Sequence, residues 1–430
     1  ITSSEQEIRA IEESILFRNM ILNCQNKITH IKRKEPIMKK RLISMLCASA
    51  IAFLLALPSY AFDSDMATSA KVNADIAELK ETYSIDSNLM QDVISNYPDA
   101  EPQIAALKQQ AEAYQFTPEQ VEMHLQGMKN YAEDPAEVEY GKLSEDGTFY
   151  ILPNGDTMPN RFSNALNLNS GNDTAFTNQD IAPLSFSSNY ISQTNADDQT
   201  GVFWVVKSTT GHDQATAFFN LPTVTASASS PDRPYMFFSV NTTSSSICGD
   251  YGVVYYPASQ RWALCTHAIK WNTSTGSYDT VPWQEITLPS SYNSGGLLYL
   301  HLQITNTNGT DKVTITVKDG STFAVLATLS CDFTGNPFNS SLSNVNIFRE
   351  ITLAQHLDSS GKLNTSTGTR TENSKFSNAY LYTPSTYSSW GTARTTTAYK
   401  QAPKSSQLAT VVVNAYTKWN SEDISIRFTQ

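Results

Sequence analysis

From Gly201 onward the chain is built of short runs in which apolar and polar residues alternate, separated by turn-forming residues. The runs Gly201–Lys207, Tyr235–Val240, Tyr251–Tyr256, Trp262–Ile269, Leu297–Ile304, Lys312–Val317, Phe323–Ser330 and Leu408–Val413 are rich in β-branched and aromatic residues, which favours strands. In one of them Val313, Ile315 and Val317 fall on one face and Thr314 and Thr316 on the other, the period-two pattern of a sheet with one buried face. Asn308-Gly309 and Asp319-Gly320 supply hairpin turns. Roughly a dozen such strands predict a mainly β fold, a two-sheet antiparallel jelly-roll sandwich. A parallel β-helix would show a fixed short repeat, and the sequence has none.

Upstream the period changes to that of helices. Leu89, Val93 and Ile94 form one apolar stripe ending at Tyr97-Pro98, and Ile104, Leu107, Ala111 and Tyr114 form another. A third, Val121, Leu125, Met128 and Tyr131, follows Thr117-Pro118-Glu119-Gln120, a capping box with proline at the first helical position. Helices this short are not stable alone, so the sandwich is expected to follow a small helical region that packs on itself or on the β domain. His124 lies on the apolar face of its helix and is expected to be structural.

Charge sharpens the boundary. Residues 62–160 hold 5 basic and 19 acidic side chains, whereas 161–430 hold 16 and 17, so the acidity belongs to the helical segment. The expected organisation is an acidic helical region over 62–160 and a β-sandwich domain over 161–430, divided near the turn-rich Leu152-Pro153-Asn154-Gly155-Asp156. A formal net charge of −11 argues against nucleic acid as a partner, since phosphate neutralisation needs a basic surface.

Met38-Lys39-Lys40-Arg41, the apolar stretch Leu42–Leu57 and the small residues Ser59 and Ala61 make the three-part pattern of a secretory signal peptide over 38–61. Cleavage after Ala61 would give a secreted, extracellular protein with no membrane anchor after processing. Residues 1–37 are then expected to be a leader or a misplaced gene start, because Lys34-Glu35 can be encoded by a purine-rich bacterial ribosome-binding sequence just before Met38.

Asp250–Tyr256, Trp262, Leu297–Ile304 and Lys312–Gly320 resemble the strand grammar of concanavalin A-like jelly rolls of the laminin-G and lectin type. That resemblance implies a sandwich over about residues 185–430 and a carbohydrate partner, without the Glu-x-Asp-x-x-Glu strand of the retaining glucanases. The glutamic peptidases share this broad sandwich.

Candidate chemistry is sparse. Glu285, Glu350 and Asp250 lie in or beside strands, where a carboxylate on a sheet face can act as acid or base. His301, His212, His267 and His356 are scattered without paired metal-ligand spacing. Asp197 and Asp198, with Asp311, sit in oxygen-rich loops that suit a structural calcium. Trp271 with Asn272, and Trp283 with Gln284, bracket a short polar stretch that would place two rings and two amides at one edge for a polysaccharide or cell-surface glycan; Trp390 is a third candidate ring.

Three cysteines follow the signal segment: Cys248, Cys265 and Cys331. Export permits one disulfide, and a turn at Ala258-Ser259 would set Gly252 opposite Cys265, with Cys248 four residues further on and bridged only if the chain bends. Two functions fit. The first is a non-catalytic secreted module binding carbohydrate or cell-envelope ligands. The alternative is a secreted hydrolase or lyase, acting on polysaccharide or protein, with the helical region as its pro-segment.

Overall fold

A computed structural model describes residues 64–430 except 153–154, 163–189, 195–199, 308, 336, 340, 356–361, 384–385, 418–419 and 429–430. The expected leader and signal segment, Asp197, Asp198 and His356 therefore lie outside the described residues.

Four helices open the described chain: α1 (Ser64–Thr82), α2 (Ser87–Asn96), α3 (Ala100–Tyr114) and α4 (Pro118–Glu133). The last starts as its sequence predicts, with Thr117 accepting from the Gln120 N–H and Gln120 reaching back to the Thr117 N–H. Three short strands follow, β1 (Glu139–Leu143), β2 (Phe149–Ile151) and β3 (Thr157–Pro159). The sandwich proper begins with β4 (Ile191–Thr194), β5 (Gly201–Thr210), β6 (Gln214–Leu221), β7 (Thr223–Thr225), β8 (Arg233–Thr242), β9 (Ile247–Tyr256) and β10 (Arg261–Asn272). It continues with β11 (Ser277–Thr287), β12 (Gly296–Thr307), β13 (Thr310–Asp319), β14 (Val325–Thr334), β15 (Val345–Ala354) and β16 (Arg370–Thr383). β17 (Thr386–Ser389), β18 (Thr395–Ala402), β19 (Val411–Thr417) and β20 (Ser421–Arg427) complete it. Leu408 to Thr410, expected to begin the β19 strand, instead lie in a 3₁₀ turn over Ser405–Thr410.

The strands form two sheets, as the alternating runs predict. One has eleven strands in the order β3-β2-β1-β11-β10-β9-β8-β15-β5-β18-β4; the other orders β14-β13-β12-β6-β16-β20-β19, with β7 and β17 paired to β16. All pairings are antiparallel except β18 with β4. The inner faces bury Trp204, Phe219, Phe238, Tyr251, Trp262, Leu300, Ile315, Ile351 and Trp390 in one continuous core. The predicted glycan-facing ring of Trp390 is thus core, with the Arg349 guanidinium 4.6 Å from its centroid and bonded to Glu422 at 2.8 Å.

Each outer face is also covered. The helices pack through Leu89, Ile104, Leu107, Val121, Leu125 and Met128 against Tyr299 and Phe323 beside the nine-stranded sheet. Close approach there needs Gly127: a Cβ would stand 3.1 Å from the Val325 nitrogen. On the eleven-stranded sheet, β1 adds to the edge strand β11 with Gly141 opposite Trp283. Then Tyr150, Leu152 and Met158 turn back over Tyr235, Phe237, Val254, Tyr256 and Trp283. Residues 68–430 form one unit, and within it the helices pack on Tyr299 and Phe323 of the β region.

Candidate active site

Strand alternation places on the outer face of the eleven-stranded sheet those residues that the inter-sheet core does not take. Across β10, β9 and β8 the register aligns His267 with Asp250 and Asp250 with Ser239. Glu350 lies on β15 opposite Phe237, two residues along that strand from Phe348, the partner of Ser239. All four polar side chains are essentially fully buried.

The Ser239 hydroxyl lies 2.7 Å from Asp250 Oδ1 and 2.9 Å from Glu350 Oε1, so one serine links both carboxylates. Arg161 closes the group from above. Its Nη1 is 3.1 Å from Asp250 Oδ1 and 3.1 Å from Glu350 Oε2, and its Nη2 donates to Glu350 Oε1 at 3.4 Å. The guanidinium also lies 5.1 Å from the ring of Phe203 and 5.4 Å from that of Phe237. His267 Nε2 stands 3.4 Å from Asp250 Oδ2, and neither atom has a hydrogen-bond partner among the described residues.

The local fold explains why Arg161 reaches this place. Buried Asn160 fixes the turn after β3: its amide donates to the Gly147 carbonyl at 2.8 Å, its carbonyl accepts from the Phe162 N–H at 3.0 Å, and its own N–H bonds to Thr148. Phe162 then packs on Cys248 and Ile269 and lies 5.0 Å from the His267 ring. Below, Arg233 Nε donates to the Thr157 carbonyl at 3.1 Å.

Two carboxylates sharing a serine cannot both ionise cheaply away from water. Burial pushes the Glu350 carboxyl above its ordinary value, with Asp250 adding to the shift and Arg161 opposing it. Burial works against the Arg161 charge too, but Asp250 and Glu350 outweigh it and hold the guanidinium protonated. Burial lowers His267 to about 4, leaving a neutral imidazole beside Asp250. A carboxyl raised above its ordinary value, a second carboxyl and a neutral imidazole on one face can move protons to and from a bound substrate.

Glu285, the third carboxylate of the sequence reading, is next door but committed. It accepts from Tyr256 Oη at 2.6 Å, Trp283 Nε1 at 3.0 Å and Arg261 Nη2 at 2.8 Å, a saturated set that holds β10 and β11 in place. His301 lies on the other sheet, 3.0 Å from Gln214 Oε1, and His212 is 2.9 Å from Thr209 Oγ1.

The paired-ring platform is not built. Trp283 is fully buried between Tyr150 and His267, and it lies five residues along β11 from Tyr278, the partner of Trp271, roughly 16 Å away. Trp271 is half-buried, edge-on to Tyr278; Asn272 donates to Asp279 and Gln284 to the Ser330 carbonyl. Asp311 is buried and accepts the Phe338 N–H at 2.7 Å; among the described residues no three acidic, His or Cys side chains are placed to hold a metal ion. The three cysteines are free and buried. Gly252 faces Cys265 as the turn predicts, and Cys248 faces Ile269, so roughly 13 Å of straight strand separates the two sulfurs' positions and no bridge forms.

Missed by the sequence reading were Arg161, Ser239 and the strand β11. The available signal for Arg161 was its place as a basic residue at the end of a strongly acidic segment.

No protein-family profile matches the chain, and no curated protein matches it. Among solved structures it is similar to scytalido-glutamic peptidase bound to a peptide-based transition-state analogue, with a TM-score of 0.33 and 12% identity over 53% of this chain and 98% of that one. It is also similar to SCP-B, a member of the eqolisin peptidases, in complex with the tripeptide Ala-Ile-His, with a TM-score of 0.29, 10% identity and the same coverage. The concanavalin A-like resemblance is not confirmed by these comparisons.

Proposed function

We propose that this chain is the latent form of an exported hydrolase that cuts polypeptides, with Asp250 and Glu350 as its acid–base pair and residues 139–162 as an internal inhibitor. The observation that carries the reading is the shared contact of Asp250 and Glu350 with Ser239 below and Arg161 above. Two essentially fully buried acids converge on one guanidinium, and a stretch of the chain's own polypeptide lies across them.

The chemistry follows from the pair. Once Arg161 withdraws, Asp250 takes a proton from a water whose oxygen attacks the substrate carbonyl carbon, while Glu350 gives its proton to the carbonyl oxygen. The tetrahedral diol then collapses: the carbon–nitrogen bond breaks, the amine leaves with the proton held by Asp250, and a diol hydroxyl returns its proton to Glu350. Ser239 keeps the two carboxyl groups oriented, and Tyr235, Phe237, Val254 and Tyr256, which now hold Tyr150, Leu152 and Met158, would hold apolar substrate side chains. That extended occupant favours a polypeptide over a glycan.

Replacing Arg161 in the full-length chain tests the reading. R161A should cleave an unfolded protein substrate at least about tenfold faster than the parent at mildly acidic pH, read as new peptide termini by mass spectrometry, and should release no reducing sugar from polysaccharides. Equal, background-level cleavage by both chains between pH 3 and 7 would end the proposal.

A further inference from the structure

The helices cover the nine-stranded sheet over a group of buried bases. His124 of α4, His301 of β12 and Lys318 of β13 are each at most 2% exposed. The Lys318 Nζ lies 2.9 Å from His124 Nδ1; when Lys318 is an ammonium, which can only donate, Nδ1 accepts and the His124 proton sits on Nε2. That Nε2 is buried with no partner. His124 stacks on Phe323 at 4.2 Å and lies 5.0 Å from Phe116, so the imidazole is enclosed by rings from both sides of the interface.

No acid among the described residues pairs with this group. The neighbours facing it are neutral: Gln214 and Thr216 from β6, Tyr299 from β12, Thr316 from β13, Tyr382 from β16 and Tyr114 from α3. The interface acids are bound elsewhere. Asp99 pairs with Lys312 at 3.1 Å, Asp92 with Lys129 at 2.7 Å, and Glu78 and Glu112 with Lys108. Asp319, beside Lys318 in sequence, bonds Tyr292 and its own loop. Asp213, just before β6, is half-buried and raised to about 6 by desolvation.

We infer that this interface is an acid-sensitive latch: acidification undocks helices α1–α4 from the nine-stranded sheet while the sandwich stays folded. The geometry supplies the reason, because any further proton must enter a closed, aromatic-lined space already holding an ammonium and one orphaned N–H. Burial drives His301 to about 3 and His124 well below its usual value, with Lys318 adding to both shifts. A histidine free to titrate near 6.5 outside the interface and held near 3 inside it weakens docking as pH falls between those values. Lys318, lowered to about 7 by burial, has already exerted its effect above that pH. The consequence for activity rests on the function proposed above: only residues 134–138 separate α4 from β1, so undocking frees the N-terminal end of the inhibitory stretch.

Hydrogen exchange on the full-length chain, corrected for the pH dependence of intrinsic exchange, reads the latch without any activity assay. Amides of α4 should lose about 100-fold of their protection between pH 6.5 and 4, while those of β9 and β15 keep theirs. In H124F/K318M the loss should shift down by at least about one pH unit; K318Q serves as a milder second variant with a shift in the same sense. Unchanged α4 protection down to pH 4 in the parent chain, loss together with β9 and β15, or an unshifted midpoint in the variants would overturn the latch. Cleavage by R161A with a silent latch would leave the hydrolase standing, and a working latch without cleavage would do the reverse.

Discussion

The two outer faces of the sandwich are both covered by the N-terminal part of the chain, and they bury charge of opposite sense. Under β1–β3 two carboxylates and a serine surround one guanidinium. Under α4 a lysine and two histidines meet with no acid. A cation removed from the first face leaves uncompensated acids, whereas a cation removed from the second relieves a cost. Proton binding likewise acts in opposite directions. Glu350, raised in the fold, contributes stability that is present at low pH and lost as pH rises through its folded value. The histidines, lowered in the fold, lose stability as pH falls from about 6.5. Acid therefore loosens the helix-covered face first, which places the trigger away from the chemistry.

Substitutions can break this contrast. The largest effect on stability is expected at Trp283, whose removal leaves a hole beneath Tyr150 and takes one of two donors from Glu285 Oε2, which keeps Tyr256; Trp283→Ala should cost about 3–5 kcal/mol in denaturant unfolding. Next, Arg161→Ala should cost about 3 kcal/mol at pH 7, and less as the pH is lowered and Glu350 takes up a proton. Lys318→Met should move the other way, stabilising by about 1–2 kcal/mol at pH 7 and flattening the dependence on pH between about 7 and 10. If both cation removals destabilised equally, the opposition of the two faces would be wrong. Trp271→Ala, at a half-exposed strand end, should change stability by less than about 1 kcal/mol.

Much of the frame was legible in the sequence because it rests on local patterns. The alternation in Val313–Val317 and the capping box at Thr117 each specify an element without reference to the rest of the chain. Asp250 and Glu350 were visible as strand carboxylates, but their meeting depends on β8 lying between β9 and β15, a long-range choice that no local pattern encodes. Trp283 was misplaced because Pro282 and the polar residues around it disguise β11; the proline sits where the register with β10 shifts between Thr266 and Ala268. Arg161 was hidden for a different reason, since it belongs to a turn held by Asn160 and acquires its role only when that turn folds back across the sheet.

The claim that the covered carboxylates do chemistry is tested most directly in the opened chain. With Arg161→Ala as the background, D250N and E350Q should each lower cleavage of an unfolded protein by about 100-fold or more, with the chain still folded by circular dichroism. Cleavage that survives both substitutions would place the reaction elsewhere and contradict the account.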